Sequence, residues 1–165
     1  MAKWVLQYAL DNYDDIADEQ KARLNVSADE LKKWQDIVAK MYLPEADITL
    51  KGKDYHIFEQ HDTFLDKDLT PIADMPQDIR PINQNWSWDR ILRSPYIKQS
   101  DTLHAMFYFP DAFTEDEKRQ NFEFYEPLTV HESSLSPSVH AILAADLEMS
   151  DKAVEMYERA ARLDL

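Results

Sequence analysis

Apolar residues fall at helical spacing from the start of the chain, with Trp4, Val5, Tyr8, Ala9, Tyr13 and Ile16 on one face over positions 2 to about 18. Ser27-Ala28-Asp29-Glu30 then predicts a capping box, in which Ser27 and Glu30 each bond the other's backbone N–H. The helix it opens carries Leu31, Trp34, Ile37, Val38 and Met41 on one face and stops before Pro44. From Asp47 to Phe58 the period changes to two: Ile48 and Leu50 alternate with polar residues, Lys51-Gly52-Lys53-Asp54 offers a turn, and Tyr55 and Ile57 follow. That pattern predicts one β-hairpin. Residues 59 to 96 hold Pro71, Pro76, Pro81 and Pro95 with Trp86 and Trp88 among them, and have little periodicity. The stretch is long for a plain connection, and its aromatic content argues for a functional loop rather than disorder.

Helical character returns after Pro95 and runs through Leu103, Met106 and Phe107 to a stop at Pro110. Thr114-Glu115-Asp116-Glu117 predicts a second capping box. Ser136-Pro137 reads as serine cap plus proline at the first helical position, for a helix with Val139, Ile142, Leu143 and Leu147 on its apolar face. Ser150 is the expected cap of a last helix bearing Ala153, Val154, Tyr157, Ala160, Ala161 and Leu163. There is no fixed-period repeat. The reading is a mainly α chain of consecutive antiparallel helices, with one small β-hairpin and long decorated loops.

At 165 residues the chain is one domain's worth and can bury a core. Its 44% hydrophobic and 30% charged residues are those of a soluble globular protein. No run approaches the roughly 18 apolar residues of a membrane span, and Met1 to Tyr8 is too interrupted for a signal peptide. The absence of cysteine excludes disulfides and thiolate metal sites and favours a cytoplasmic setting. A formal net charge of −14 argues against a nucleic-acid partner. The acidic runs Asp11 to Glu19 and Thr114 to Glu117 read as solvated surface. A single glycine, Gly52, excludes Gly-rich phosphate loops and the dinucleotide fingerprint.

The chemistry-bearing residues gather in two segments. Ile97-Lys98-Gln99-Ser100-Asp101 and His131-Glu132-Ser133-Ser134-Leu135-Ser136 together hold a cation, a carboxamide, an imidazole, carboxylates and hydroxyls. Lys98 with His131, Ser133 and Ser134 would make a phosphate pocket if the fold joins them, the cation supplying charge and the hydroxyls and imidazole directed donors. A helix N-terminus after His131 would add unpaired N–H groups. The plainer alternative is a capped loop whose serines satisfy local backbone. His56 and His61, with Glu59 and Asp62, match no standard metal-ligand spacing. His104 and His140 fall near apolar helix faces and read as core or rim residues. No nucleophile-elbow glycines surround Ser133 or Ser134, so a Ser/His/Asp hydrolase fits poorly.

Several runs closely resemble the maltose phosphorylases of glycoside hydrolase family 65. The longest are Arg80-Pro81-Ile82-Asn83-Gln84-Asn85-Trp86-Ser87-Trp88-Asp89 continuing to Asp101, and Arg119-Gln120-Asn121-Phe122-Glu123-Phe124-Tyr125-Glu126-Pro127-Leu128-Thr129-Val130-His131 continuing to Ser136. Phe58 to Leu69 and the closing Ala160 to Leu165 look alike too, so the similarity covers essentially the whole chain. It implies that residues 1–165 are part of the catalytic domain, the C-terminal part of an (α/α)6 barrel. The implied reaction is inverting phosphorolysis of maltose to β-glucose 1-phosphate and glucose, with inorganic phosphate as co-substrate, no cofactor, and homodimeric full-length relatives. Lys98 and Gln99 match the pair lining the glucose and phosphate subsites, and His131, Ser133 and Ser134 match the phosphate site.

The family's general acid is a glutamate in a Gly-Pro-x-Glu-Tyr segment, which this sequence does not contain. General acid catalysis is commonly worth about 100- to 10,000-fold, so the expectation is a catalytic-domain fragment that is inactive and poorly stable alone. His61-Asp62-Thr63 replaces a more usual glutamine-aspartate-glycine, and Ser100 replaces alanine. Two alternatives are a family member acting on trehalose, kojibiose or nigerose, and a non-catalytic helical interaction protein built on helices 137–147 and 151–163. The missing repeat period and the long loop speak against the second.

Overall fold

The computed structural model describes residues 1–96, 98, 100–132 and 135–162. The chain divides into two compact units, 1–43 and 44–165.

The first unit holds α1 (Ala2–Asn12), α2 (Asp18–Leu24) and α3 (Ala28–Lys40), with α1 packed on α3. The single helix expected over 2–18 is thus interrupted. Asn12, Asp14 and Asp15 favour turns over helix interiors, and Ala17, at φ −59° and ψ 143°, leaves the helical region altogether. Asn25, left-handed at φ 52°, terminates α2. Ser27 caps α3 by accepting from the Glu30 N–H at 3.2 Å, but the reciprocal glutamate arm does not form among the described residues. Of the predicted α3 face only Val38 is buried.

In the second unit β1 (Glu45–Leu50) pairs antiparallel with β2 (Lys53–Phe58), Leu50 opposite Lys53 and Glu45 opposite Phe58. The connecting residues Lys51 and Gly52 both have positive φ, 52° and 80°. A two-residue turn of that kind matches the right-handed twist of the strands. The hairpin packs on α7 (Glu115–Tyr125), whose N-terminus carries the complete Thr114–Glu117 capping box foreseen from sequence. Side chains of α7 bond the backbone of β2 and the residues after it. Gln120 Oε1 accepts from the His56 N–H at 2.6 Å and Asn121 Oδ1 from the Phe58 N–H at 2.9 Å. Tyr125 Oη accepts from the Gln60 N–H at 2.9 Å and donates to the Phe58 carbonyl at 2.7 Å. In this register the backbone N–H and C=O groups of the even-numbered β2 residues point away from β1, so α7 satisfies those of His56 and Phe58 on the edge that pairing leaves open.

The long aperiodic stretch is ordered by 3-10 turns at Phe64–Asp66, Ile72–Asp74 and Gln77–Ile79, then by α4 (Ile82–Asn85) and α5 (Trp88–Arg93). Phe64, Met75, Ile82 and Tyr96 are buried, joining Ile57, Leu103, Met106, Phe122, Tyr125 and Leu143 in one core. Thr63 carries φ 66°, the left-handed region that penalises a β-branched residue. It is the position where glycine is the more usual residue in the resemblance above.

α6 (Asp101–Tyr108) starts later than the pattern after Pro95 suggested, because buried Ser100 caps it, accepting from the Leu103 N–H at 3.4 Å. α8 (Leu135–Asp146) begins one residue before the predicted Ser136 cap, and Ser136 turns its hydroxyl to His131 instead. α9 (Ser150–Ala161) packs on α8. Ser150 is its first residue rather than its cap: Met149 takes that position, with no side-chain cap bond. The reversal between the two helices is set by Glu148 at φ 58° and by bonds from the Met149 N–H to the Ala144 carbonyl and the Glu148 N–H to the Ala145 carbonyl. That is the bond pair of a Schellman cap. No described helix is long and apolar enough to cross a membrane.

Candidate functional site

Two chain segments lead into α6 and α8, which pack against one another. Ahead of the first, Trp86, Arg90 and Tyr96 are among the residues lining a cleft of about 550 Å³. The Arg90 guanidinium lies 3.7 Å over the Trp86 ring, and Trp86 meets Tyr96 edge-on at 5.7 Å. Cation–π and edge-to-face contacts of this kind brace the chain. Two residues beyond Tyr96, Lys98 is exposed in a bend ahead of the Ser100 cap. Gln99 lies outside the described residues.

In the second segment His131 and Glu132 are firmly embedded. His131 is 6% exposed and left-handed at φ 52°. Its carbonyl accepts from Arg159 of α9 at 3.1 Å, and its Nδ1 lies 3.0 Å from Ser136 Oγ. Its Nε2 is 3.7 Å from Glu126 Oε1, a charge contact rather than a hydrogen bond. Both ring nitrogens therefore face protein groups. The next residue, Glu132, reaches across the fold: its carboxylate accepts from the Ile82 N–H at 2.7 Å and the Asn83 N–H at 3.1 Å. Ser133 and Ser134 lie outside the described residues.

Behind His131 sits a buried polar cluster. The His140 ring, fully buried in α8, stands 4.6 Å from the His131 ring and 5.6 Å from Phe122. Among the described residues neither His140 nitrogen has a hydrogen-bond partner, and His131 Nε2 has none. Burial, reinforced by His131, His104 and Lys152, pushes the His140 pKa down to about 3 against the pull of Glu126, so the ring is neutral at physiological pH. Burial would raise the Glu126 carboxyl, but the His131 ring and the Lys152 ammonium, 3.2 Å away, outweigh it and hold the group below its ordinary value. Lys152 is held protonated despite its own partial burial, through Glu155 and Glu126.

Glu126, His131 and His140 place one potential ligand atom each within 4.8 Å of one another. Among the described residues these are the group that could hold a metal ion. Lys152, however, already supplies Glu126 with a cation at 3.2 Å. His56 instead pairs with Asp47 at 2.8 Å and Glu45 at 3.7 Å, which hold its pKa above the ordinary value. Sequence reasoning found His131, named Glu132 only as part of its polar segment and read His140 as a core or rim residue, which its burial bears out; it missed Ser136 as the His131 partner, and missed Glu126 and Arg159. The hydrogen-bonding reach of Glu132 spans fifty positions and leaves no local pattern to read.

The description "Glycosyl hydrolase family 65 central catalytic domain" matches residues 1–165. The chain is 53% identical over 165 residues to the maltose phosphorylase of Bacillus subtilis (strain 168), covering 100% of this chain and 21% of that protein. It is 36% identical over 172 aligned positions to the α,α-trehalose phosphorylase of Thermoanaerobacter brockii, again 100% of this chain and 21% of the relative. A solved chain described as a kojibiose phosphorylase from human microbiome superposes with a TM-score of 0.83 at 34% identity, over 98% of this chain and 24% of that one. This chain thus spans about a fifth of the length of the curated relatives it matches. The mainly α expectation with one hairpin holds, and the helices are those of an (α/α)6-barrel fold. From its first residue to its last, the chain belongs to glycosyl hydrolase family 65, in the family's central catalytic domain.

Proposed function

We propose that these 165 residues form part of the catalytic domain of an inverting disaccharide phosphorylase whose substrate is maltose. The observation that carries the reading is the 53% identity to a maltose phosphorylase along the whole chain, against 36% and 32% for relatives named for trehalose and kojibiose. In this reading Lys98 and Gln99 line the glucose and phosphate subsites, and His131, Ser133 and Ser134 build the phosphate site. A cation and hydroxyl donors suit an anion that must be held for in-line attack. Phosphate attacks the anomeric carbon from the face opposite the glycosidic bond while a carboxylic acid protonates the departing oxygen. The nucleophile is already an anion, so no general base is needed. Inorganic phosphate is co-substrate, and no cofactor takes part. His131 is buried with its nitrogens toward Ser136 and Glu126. The acid lies outside residues 1–165, which hold no Gly-Pro-x-Glu-Tyr segment.

The test is a hybrid in which these residues replace the matching segment of the Bacillus subtilis maltose phosphorylase. Phosphate-dependent release of β-glucose 1-phosphate is expected from maltose in preference to trehalose, kojibiose or nigerose. Lys98→Ala and the paired Ser133→Ala/Ser134→Ala change should each raise the KM for phosphate. A correctly folded hybrid without phosphate-dependent release, or one that prefers another disaccharide, would overturn the reading. The 165-residue polypeptide by itself should show no turnover of maltose.

A further inference from the structure

We infer that Glu132 is a positioning residue, tying the backbone that precedes the proposed phosphate-binding serines to α4, in the stretch of chain ahead of Lys98. The inference rests on the phosphorylase reading above. Glu132 immediately precedes Ser133-Ser134 and touches no proposed substrate group in that reading. Its two carboxylate oxygens are each committed to a backbone N–H of α4, Oε1 to Ile82 at 2.7 Å and Oε2 to Asn83 at 3.1 Å. Bonds from backbone N–H to an ionised carboxylate are among the stronger ones in proteins.

What α4 holds makes the tie consequential. Ile82 is 1% exposed, so this end of the tie is set in the core. The Trp86 N–H bonds back to the Ile82 carbonyl at 2.8 Å. Trp86 in turn is clamped between Arg90 and Tyr96, and Tyr96, 6% exposed, stands two residues before Lys98. A continuous run of short contacts therefore leads from Glu132 to the residue before the lysine segment. On its other side Glu132 follows His131, which is itself fixed by Arg159 at its carbonyl and Ser136 at its ring. The backbone entering the serine pair is held by these contacts from α4, α8 and α9. Groups that grip an anion for attack must be placed within a fraction of an ångström of their working positions, and such placement comes from supporting residues.

Two measurements test this. In the 165-residue chain, the amide proton signals of Ile82 and Asn83 should move upfield in Glu132→Gln, while those of the hairpin stay in place. In the hybrid enzyme, Glu132→Gln should raise the KM for phosphate about tenfold or more, equivalent to about 1.4 kcal/mol, with the KM for maltose unchanged. Glu132→Asp, which keeps both acceptor oxygens on a shorter stem, should recover part of the loss. An unchanged KM for phosphate, or a parallel loss of every kinetic parameter with the folded signal, would overturn the inference and leave the phosphorylase reading standing. If the unsubstituted hybrid has no phosphate-dependent activity, both fall together.

Discussion

His140 makes the stability of this chain sensitive to mild acid. Its imidazole is fully buried, without a hydrogen-bond partner at either nitrogen among the described residues, and its pKa is depressed from an ordinary 6.5 to about 3. The folded state therefore resists the proton that the unfolded state takes up, so stability is lost as pH falls from about 6.5 toward 3. At about pH 5 the unfolded histidine is almost wholly protonated and the folded one almost wholly neutral. Linkage then gives a cost of about 2 kcal/mol from this residue, and almost none at neutral pH. His140→Leu removes the titration and replaces an unsatisfied imidazole with an apolar side chain beside Phe122. Urea unfolding near pH 7 and pH 5, followed through the amide signals of buried Leu143 and Ala144, should show the parent losing about 2 kcal/mol more than the variant. Glu126 and Glu117, held below their ordinary values, also lose stability as pH falls, and His56, held above its own, acts in the opposite sense. Those groups are common to parent and variant, so the difference isolates His140. Equal pH slopes in the two proteins would refute the argument.

Thr63→Gly should raise the thermal midpoint, because a left-handed non-glycine costs about 1–2 kcal/mol, partly offset by the extra freedom glycine gives the unfolded chain; no gain would mean that φ 66° carries no strain. Asn121→Ala leaves the Phe58 N–H without its acceptor and should cost about 1–3 kcal/mol, read as lower stability together with faster amide exchange at Phe58. Phe64→Ala should cost about 3–5 kcal/mol although it lies in an aperiodic stretch, whereas Trp88→Ala, at a position 71% exposed, should stay within about 0.5 kcal/mol; comparable losses would deny that residues 59–96 are core.

The elements that sequence made legible are those whose signals are local. Thr114 and Glu117 lie three residues apart and satisfy each other's backbone, so their box is written in four positions. The hairpin announces itself through its change of period and its one glycine. Ser136 and Ser150 misled for a physical reason. A serine before a proline or an acidic residue reads as a cap, but Ser136 has a better partner in the buried His131 ring, and the reversal at Glu148 places Met149 ahead of α9. The break after Asn12 was signalled by its turn-forming residues and was masked by the apolar spacing that continues through Tyr13 and Ile16. The candidate site divides in the same way. His131 was marked by its polar company, whereas Glu126 and His140 became its neighbours only when α7 and α8 were packed.

The attachment of β2 to α7 distributes mutational tolerance unevenly. Gln120, Asn121 and Tyr125 read the strand through its N–H and C=O groups, which every residue other than proline carries alike. Changes at His56 or Gln60 alter a side chain but leave these bonds available, so drift there should be absorbed. The same freedom does not extend to the helix, where each of the three side chains supplies an acceptor that no backbone group can replace. Sequence variation among related chains should accordingly be wide at 56 and 60 and narrow at 120, 121 and 125, although all five positions belong to one contact.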